Sequence, residues 1–261
     1  MILLDKLAYS SPIRQHSPAV KTLFSVGSLL LCVGFRSPIP CLITLFVMAV
    51  CTLRFANLSF FRYLRLMTIP LAFLCLSCLA VLFFFSSSPQ GIVSVSLFSH
   101  FICISKASFT HWYELILTAF SSVSCLYFLI LTTPVTDLLT VLRQIHCPSL
   151  ILELMLLIYR AIFILLDLAD AIQTAQNCRL GNRTFRSKLS CIGQMLCVVL
   201  VRSLKKSSIL YDAMESRLYD GTVRVLEEHS PAKPCEIVFC ALWLCTCLGL
   251  CLIFSLWRLI L

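Results

Sequence analysis

The chain reads as an all-α polytopic membrane protein, with about five transmembrane helices and a pair of long cytoplasmic or interfacial helices. Three observations predict this. First, 59% of the 261 residues are hydrophobic and 13% are charged, whereas soluble domains carry about one quarter charged residues. Second, five apolar runs approach the roughly 20 residues that a helix needs to cross a ~30 Å hydrocarbon core. Third, the charge is concentrated: twelve of the 21 Lys and Arg residues lie between Thr133 and Pro234, in an island with apolar sequence before and after it.

Taken in order, the opening segment carries Asp5, Lys6, Arg14 and His16. These break up any short apolar core and predict an uncleaved anchor instead of a removable signal. The runs Ala19–Phe35 and Pro38–Leu53, joined by the tight turn from Arg36 to Pro40, predict a helical hairpin. Thr68–Phe85 and Trp112–Leu131 follow, separated by a Ser-rich, nearly uncharged loop from Ser86 to His111. Glu236–Trp257 is the fifth span. This divides the chain into N-terminal transmembrane helices (1–133), the polar island (134–234) and a C-terminal transmembrane helix (235–261).

The positive-inside rule sets the orientation. With the N-terminus inside, the inner segments hold eighteen Lys and Arg and the outer ones hold three (Arg36, Lys106 and Arg258). The C-terminus then ends outside. The net charge of +9 thus follows topology, so nucleic acid is not an expected partner; the lipid bilayer is.

Inside the island, Pro148 opens a helical pattern that runs to Arg179, with Gly181 expected as the residue that closes it. A second pattern runs from Thr184 to about Tyr219, with Gly221 as its expected stop and Gly193 or Ser207-Ser208 as places where it could bend. Two short segments resemble each other: Ala175-Gln176-Asn177-Cys178-Arg179-Leu180-Gly181, and Ala213-Met214-Glu215-Ser216-Arg217-Leu218-Tyr219-Asp220-Gly221. Arginine near a helix C-terminus is favoured by the macrodipole alone. Its planar, permanently charged fork also suits carboxylates on a partner. On residues alone the two readings stand even.

Other candidates weigh less. Glu153, Arg160 and Asp167 recur every seven residues and share one helix face. A solvated or salt-bridged face is the simpler reading, and an ion relay or membrane enzyme the alternative. Cys75-Leu76-Ser77-Cys78 lacks neighbouring ligands, so packing is favoured over soft-metal binding. The sixteen cysteines read mostly as small apolar residues. His100 and His111 read as surface residues. No glycine precedes Lys-Ser or Lys-Thr, so no phosphate-cradling loop is present. No nucleophile–base constellation stands out.

Together these residues carry a resemblance to the transmembrane T component of energy-coupling-factor (ECF) transporters, in the cobalt-type CbiQ branch. The matching residues are Asp5 to Ser10, Ser17 to Lys21, Arg62 to Arg65 and on through Ile69-Pro70, Thr132 to Leu139, and Tyr159-Arg160. The two arginine segments complete the match, which spans nearly the whole chain. The resemblance implies two cytoplasmic Ala-Arg-Gly-like motifs at the ends of coupling helices, each docking in a groove of one of two P-loop ATPase subunits. Arg179 and Arg217 carry over as the arginines, with Ala175, Cys178, Gly181, Ala213, Ser216 and Gly221 around them. Cys178 and Ser216 stand where the family has alanine, and Leu180 and Leu218 where it has glycine.

The resemblance further implies a non-catalytic subunit of an ABC-type importer in the bacterial inner membrane. ATP would be used by the partners, with no cofactor bound by this chain. A substrate-binding membrane subunit of S type, CbiM-like for cobalt, is implied, with room for a small accessory membrane subunit. The implied cargo is cobalt ion for cobalamin synthesis, with nickel or a vitamin as alternatives.

Overall fold

The computed structural model describes residues 8–9, 11, 13, 16–56, 59–82, 84–86, 93–97, 100–104, 106–219 and 233–260. Its helices, in chain order, are α1 (Pro18–Phe35), α2 (Pro38–Phe55), α3 (Phe60–Leu82), α4 (Lys106–Thr132), α5 (Val135–Gln144), α6 (Ser149–Cys178), α7 (Phe185–Glu215) and α8 (Pro234–Ile260). Seven of these, all but α5, are long and apolar enough to cross a membrane. The protein is an all-α, multi-pass membrane protein. Five of the seven coincide with the expected spans; the other two, α6 and α7, are the long helices of the island.

Two compact units are distinguished. Leu4–Pro134 with Glu228–Leu261 form one, and the other is built on Val135–Glu227. In the first, α4 is the central element: it packs against α1, α2 and α3, while α8 packs against α1 and α2. The helices α1 and α2, expected as a hairpin, each contact α4 far more than one another.

The reason lies in the small polar residues. On α4 the buried positions include Ser121, Ser124, Cys125, Phe128, Leu131 and Thr132, a three–four spacing that defines one helix face. On α2 they are Cys41, Thr44, Met48 and Thr52, and on α1 Thr22, Ser25, Ser28 and Cys32. Thr44 Oγ1 and Ser121 Oγ share a hydrogen bond of 2.6 Å, and Ser25 Oγ donates to the Cys125 carbonyl at 2.7 Å. Trp243 Nε1 on α8 donates to Ser28 Oγ at 3.1 Å, and Gly27 lets Leu244 approach to where a Cβ would meet it at 2.8 Å. Lipid tails are as apolar as leucine, so burying leucine against leucine drives little association there. Small residues and interhelical hydrogen bonds hold the helices instead. The large apolar residues Leu23, Leu30, Ile39, Leu42 and Phe46 accordingly face outward. Fourteen described cysteines are free and six of them are buried, as packing residues would be.

Several features differ from expectation; α4, for one, begins at Lys106, six residues before Trp112. The third span begins at Phe60, eight residues before Thr68, because Arg62 and Arg65 extend its first turns instead of ending it. Long basic side chains reach the polar interface from a helix end. Pro70 lies within this helix, as membrane helices tolerate. The third span ends at Leu82, short of the expected Phe85, and a small antiparallel sheet of order β1-β3-β2 follows: β1 (Phe84–Ser86) takes the end of the expected span, and β2 (Val93–Leu97) and β3 (His100–Ile104) lie in the expected loop. Val93-Ser94-Val95-Ser96-Leu97 alternates apolar and polar residues, the period of a strand. Finally, α7 runs unbroken through Gly193 and Ser207-Ser208.

Candidate functional site

The island's long helices form an antiparallel pair, fastened at both ends. At one end Thr184 caps α7, its Oγ1 accepting from the Ser187 amide at 3.3 Å, which satisfies an orphan donor of the first turn. Gln176 Nε2 donates to the Cys191 carbonyl at 2.9 Å, and Ser187 Oγ donates to the Gly181 carbonyl at 2.5 Å. Asn182 and Asn177 join their side chains across the same turn. At the other end the Tyr219 hydroxyl donates to Glu153 Oε2 at 2.6 Å, and Glu153 is 9% exposed. A charge-assisted bond in such a position fixes geometry as well as contributing energy.

The two arginine segments adopt the same local structure. After α6, the Gly181 amide donates to the Gln176 carbonyl at 2.9 Å and the Leu180 amide to Asn177 at 3.0 Å. After α7, the Tyr219 amide donates to Met214 at 3.1 Å and the Leu218 amide to Glu215 at 3.0 Å. These are the paired reverse bonds of a Schellman ending. In both, the residue after the arginine is left-handed: Leu180 has φ 58° and Leu218 has φ 59°. A left-handed conformation costs an L-residue about 1–2 kcal/mol.

This corrects the expected role of Gly181. Leu180, not Gly181, takes the left-handed position. Gly181 follows it because a Cβ there would lie 2.7 Å from Cys191 Sγ and 3.2 Å from the Gln176 carbonyl oxygen. The left-handed residue that ends α7 is Leu218; Gly221, expected as the stop, lies outside the described residues.

Arg179 is the C-cap of α6, and Arg217 holds the matching place before Leu218. Both arginines are exposed, as are Cys178, Ser216 and Ala175, while Ala213 is half-buried. Ser216 Oγ donates to the Ala213 carbonyl at 3.0 Å. Among the described residues neither guanidinium makes a hydrogen bond or an ion pair. The two arginines stand at opposite ends of α7, whose 31 residues span about 46 Å at ~1.5 Å per residue.

Charge around the first arginine is not explained by helix stability. Arg183 precedes the cap of α7, and Arg186 and Lys188 lie in its first turn, all three exposed. A helix N-terminus is the positive end of the macrodipole and disfavours cations. With Arg179 they make one concentrated basic knob, suited to an anionic surface.

The stripe of Glu153, Arg160 and Asp167 does not converge. Glu153 is buried on Tyr219, whereas Arg160 and Asp167 are exposed. A cleft of 480 Å³ between α6 and α7 has Arg160 and Lys206 on its lining but neither carboxylate. Among the described residues no group of three or more His, Cys, Asp and Glu is placed to hold a metal. Cys75 and His111 are exposed; the side chains of Cys78 and His100 lie outside the described residues.

The comparisons with known proteins agree on one family. Residues 10–228 match the family model CbiQ, described as cobalt transport protein. The chain is 31% identical over 251 residues to a fused cobalt transport protein CbiMQ of Methanocorpusculum labreanum, covering 95% of this chain and 41% of that protein. It is 27% identical over 219 residues to the cobalt transport protein CbiQ of Salmonella typhimurium, covering 84% of this chain and 97% of that one. A CbiQ of Rhodobacter capsulatus is 39% identical over 103 residues, 40% of this chain and 42% of the other. The chain spans less than half of the fused relative, whose name joins this region to a CbiM portion. By its match over most of its length, this chain belongs to the CbiQ family of cobalt transport proteins.

Proposed function

We propose that this chain is the energy-coupling transmembrane subunit of an ECF-type importer. In this reading it binds two P-loop ATPase subunits and transmits their motion to a CbiM-like, substrate-binding membrane subunit that carries cobalt ion. The observation that supports it most is the matched pair of arginine-bearing helix ends, alike in backbone geometry and separated by the length of α7. When ATP draws two ATPase subunits together, the sites gripping Arg179 and Arg217 move relative to each other. Because α6 and α7 are tied at the Gly181 turn and at Tyr219–Glu153, that displacement is carried by rigid helices and not absorbed by loops.

Charge supports a cytoplasmic place for the pair. Were α6 and α7 to cross the membrane, Arg179, Arg183, Arg186 and Lys188 would emerge outside, against the positive-inside bias. The N-terminus is therefore inside and the C-terminus outside in the cytoplasmic membrane. Cobalt is favoured as cargo by the family and by the fused CbiMQ relative; nickel or a vitamin would use the same coupling. A membrane enzyme built on Glu153, Arg160 and Asp167 finds no support in the dispersed placement of those groups.

The test is reconstitution. The chain, its genomic ATPase subunits and a CbiM-like subunit in proteoliposomes should import Co²⁺ on addition of ATP, with Ni²⁺ as competitor. ATP-independent uptake, or uptake undiminished when this chain is left out, would remove the proposal.

A further inference from the structure

The left-handed leucines are the least expected feature of the island. Four non-glycine residues have positive φ among those described: Arg36, His146, Leu180 and Leu218. Histidine is enriched in this region of backbone space, whereas for a bulky apolar residue it is an outlier. Glycine or asparagine closes such turns at no comparable cost. Leucine could recover the cost by packing on its own helix, as apolar residues beside these endings often do. Here it does not: Leu180 is 71% exposed and Leu218 is 90% exposed. Strain and exposure therefore coincide twice, at matched positions, each next to an arginine.

We propose that Leu180 and Leu218 are apolar anchors, each seating in an apolar pocket beside the carboxylates that receive Arg179 or Arg217 on an ATPase subunit. This rests on the coupling role proposed above and adds a second recognition element to each contact. The left-handed turn ends the helix and puts the leucine beside the arginine at its tip, so one small protrusion offers a charged fork and an apolar plug. Arginine alone would be satisfied by many acidic surfaces. The adjoining leucine restricts the partner to a groove with both features, since a groove lacking the apolar pocket leaves the leucine in water. Burying the leucine also excludes water from the arginine–carboxylate contact, which strengthens it.

A bilayer is the less fitting occupant. Asp212 and Glu215 are exposed within two turns of Leu218, so that end is not net basic and gains nothing from anionic headgroups. The feature common to both ends is Arg-Leu, not positive charge.

The experiment uses the full chain in nanodiscs and its purified genomic ATPase subunits, with dissociation constants measured for four forms. In L180G/L218G the turn keeps its arginines and loses its strain. L180N/L218N also favours the left-handed turn but is polar and less flexible than glycine. L180M/L218M keeps the apolar volume. The expected result is unchanged or higher melting temperature with about tenfold or greater weakening for the glycine and asparagine forms, and near wild-type affinity for the methionine form. Glycine or asparagine forms that bind as tightly as wild type would overturn the proposal, as would a methionine form as weak as they are. Failure of the underlying reading is separate: it would show as full ATPase binding by R179E/R217E, whatever the leucine variants do.

Discussion

Arg179→Glu combined with Arg217→Glu should abolish retention of the ATPase subunits by this chain. Each arginine is exposed and unbonded among the described residues, so reversing it removes no internal contact and the chain should still reach the membrane. At the proposed interface the same change sets a carboxylate against the groove carboxylates. Removing one partner of a desolvated charge pair costs about 2–5 kcal/mol, and like-charge juxtaposition adds to it. The sites are about 46 Å apart along α7, beyond the range at which effects couple, so each single variant should lose the contribution of one site. Lys205→Glu, an exposed reversal within α7 three turns from Arg217, controls for net charge and should retain the ATPases. Co-purification in mild detergent with genomic ATPase subunits reads all four forms. Retention by the double variant would remove both arginines from the coupling path.

Gly181→Ala should loosen the α6–α7 turn, by about 1–3 kcal/mol as overpacking does in a tight site. The added Cβ would stand 2.7 Å from Cys191 Sγ and 3.2 Å from the Gln176 carbonyl oxygen. The sulfur is the closer obstacle, so Cys191→Ala should restore part of the loss in the double variant, a coupling that two independent defects would not show. Hydrogen exchange across Gln176–Ser187 is the direct readout. Protection should fall in the single variant and recover in the double, while ATPase contact through Arg217 persists. Unchanged protection in Gly181→Ala would mean that the close approach of α7 does not constrain this turn.

Much of the architecture was legible because a membrane helix announces itself by length and apolarity alone. The five spans were found in this way, and the long helices of the island followed from Pro148, Thr184 and the arginine segments. The inward faces were not read, because hydropathy does not distinguish a lipid-facing leucine from a buried one. The signal was the three–four spacing of Ser, Thr and Cys, as in Ser121, Ser124, Cys125 and Thr132, which marks the packed face where apolar residues surround every side. The strand Val93–Leu97 reads as loop by its Ser content, although its alternation has the period of a strand.

At the site, the two arginine segments were legible as a repeat, and the repeat is structural, since both adopt the same helix ending. The misplaced element was glycine. Gly181 drew the helix stop to itself because glycine is the default left-handed residue, yet its place is set by the approach of Cys191. Leu180 and Leu218 could be seen only from the backbone, because no propensity favours leucine there. The stripe of Glu153, Arg160 and Asp167 lies on one helix but dissolves in three dimensions: Tyr219, 66 residues beyond Glu153, claims its carboxylate.

The coupling claim is tested most directly by contact. A photo-crosslinking residue placed at position 178 or 216, one before each arginine, should capture an ATPase subunit from both positions in the assembled complex. The control at position 205 should not. Crosslinks from 178 and 216 that go only to lipid, or to the substrate-binding subunit, would contradict the account.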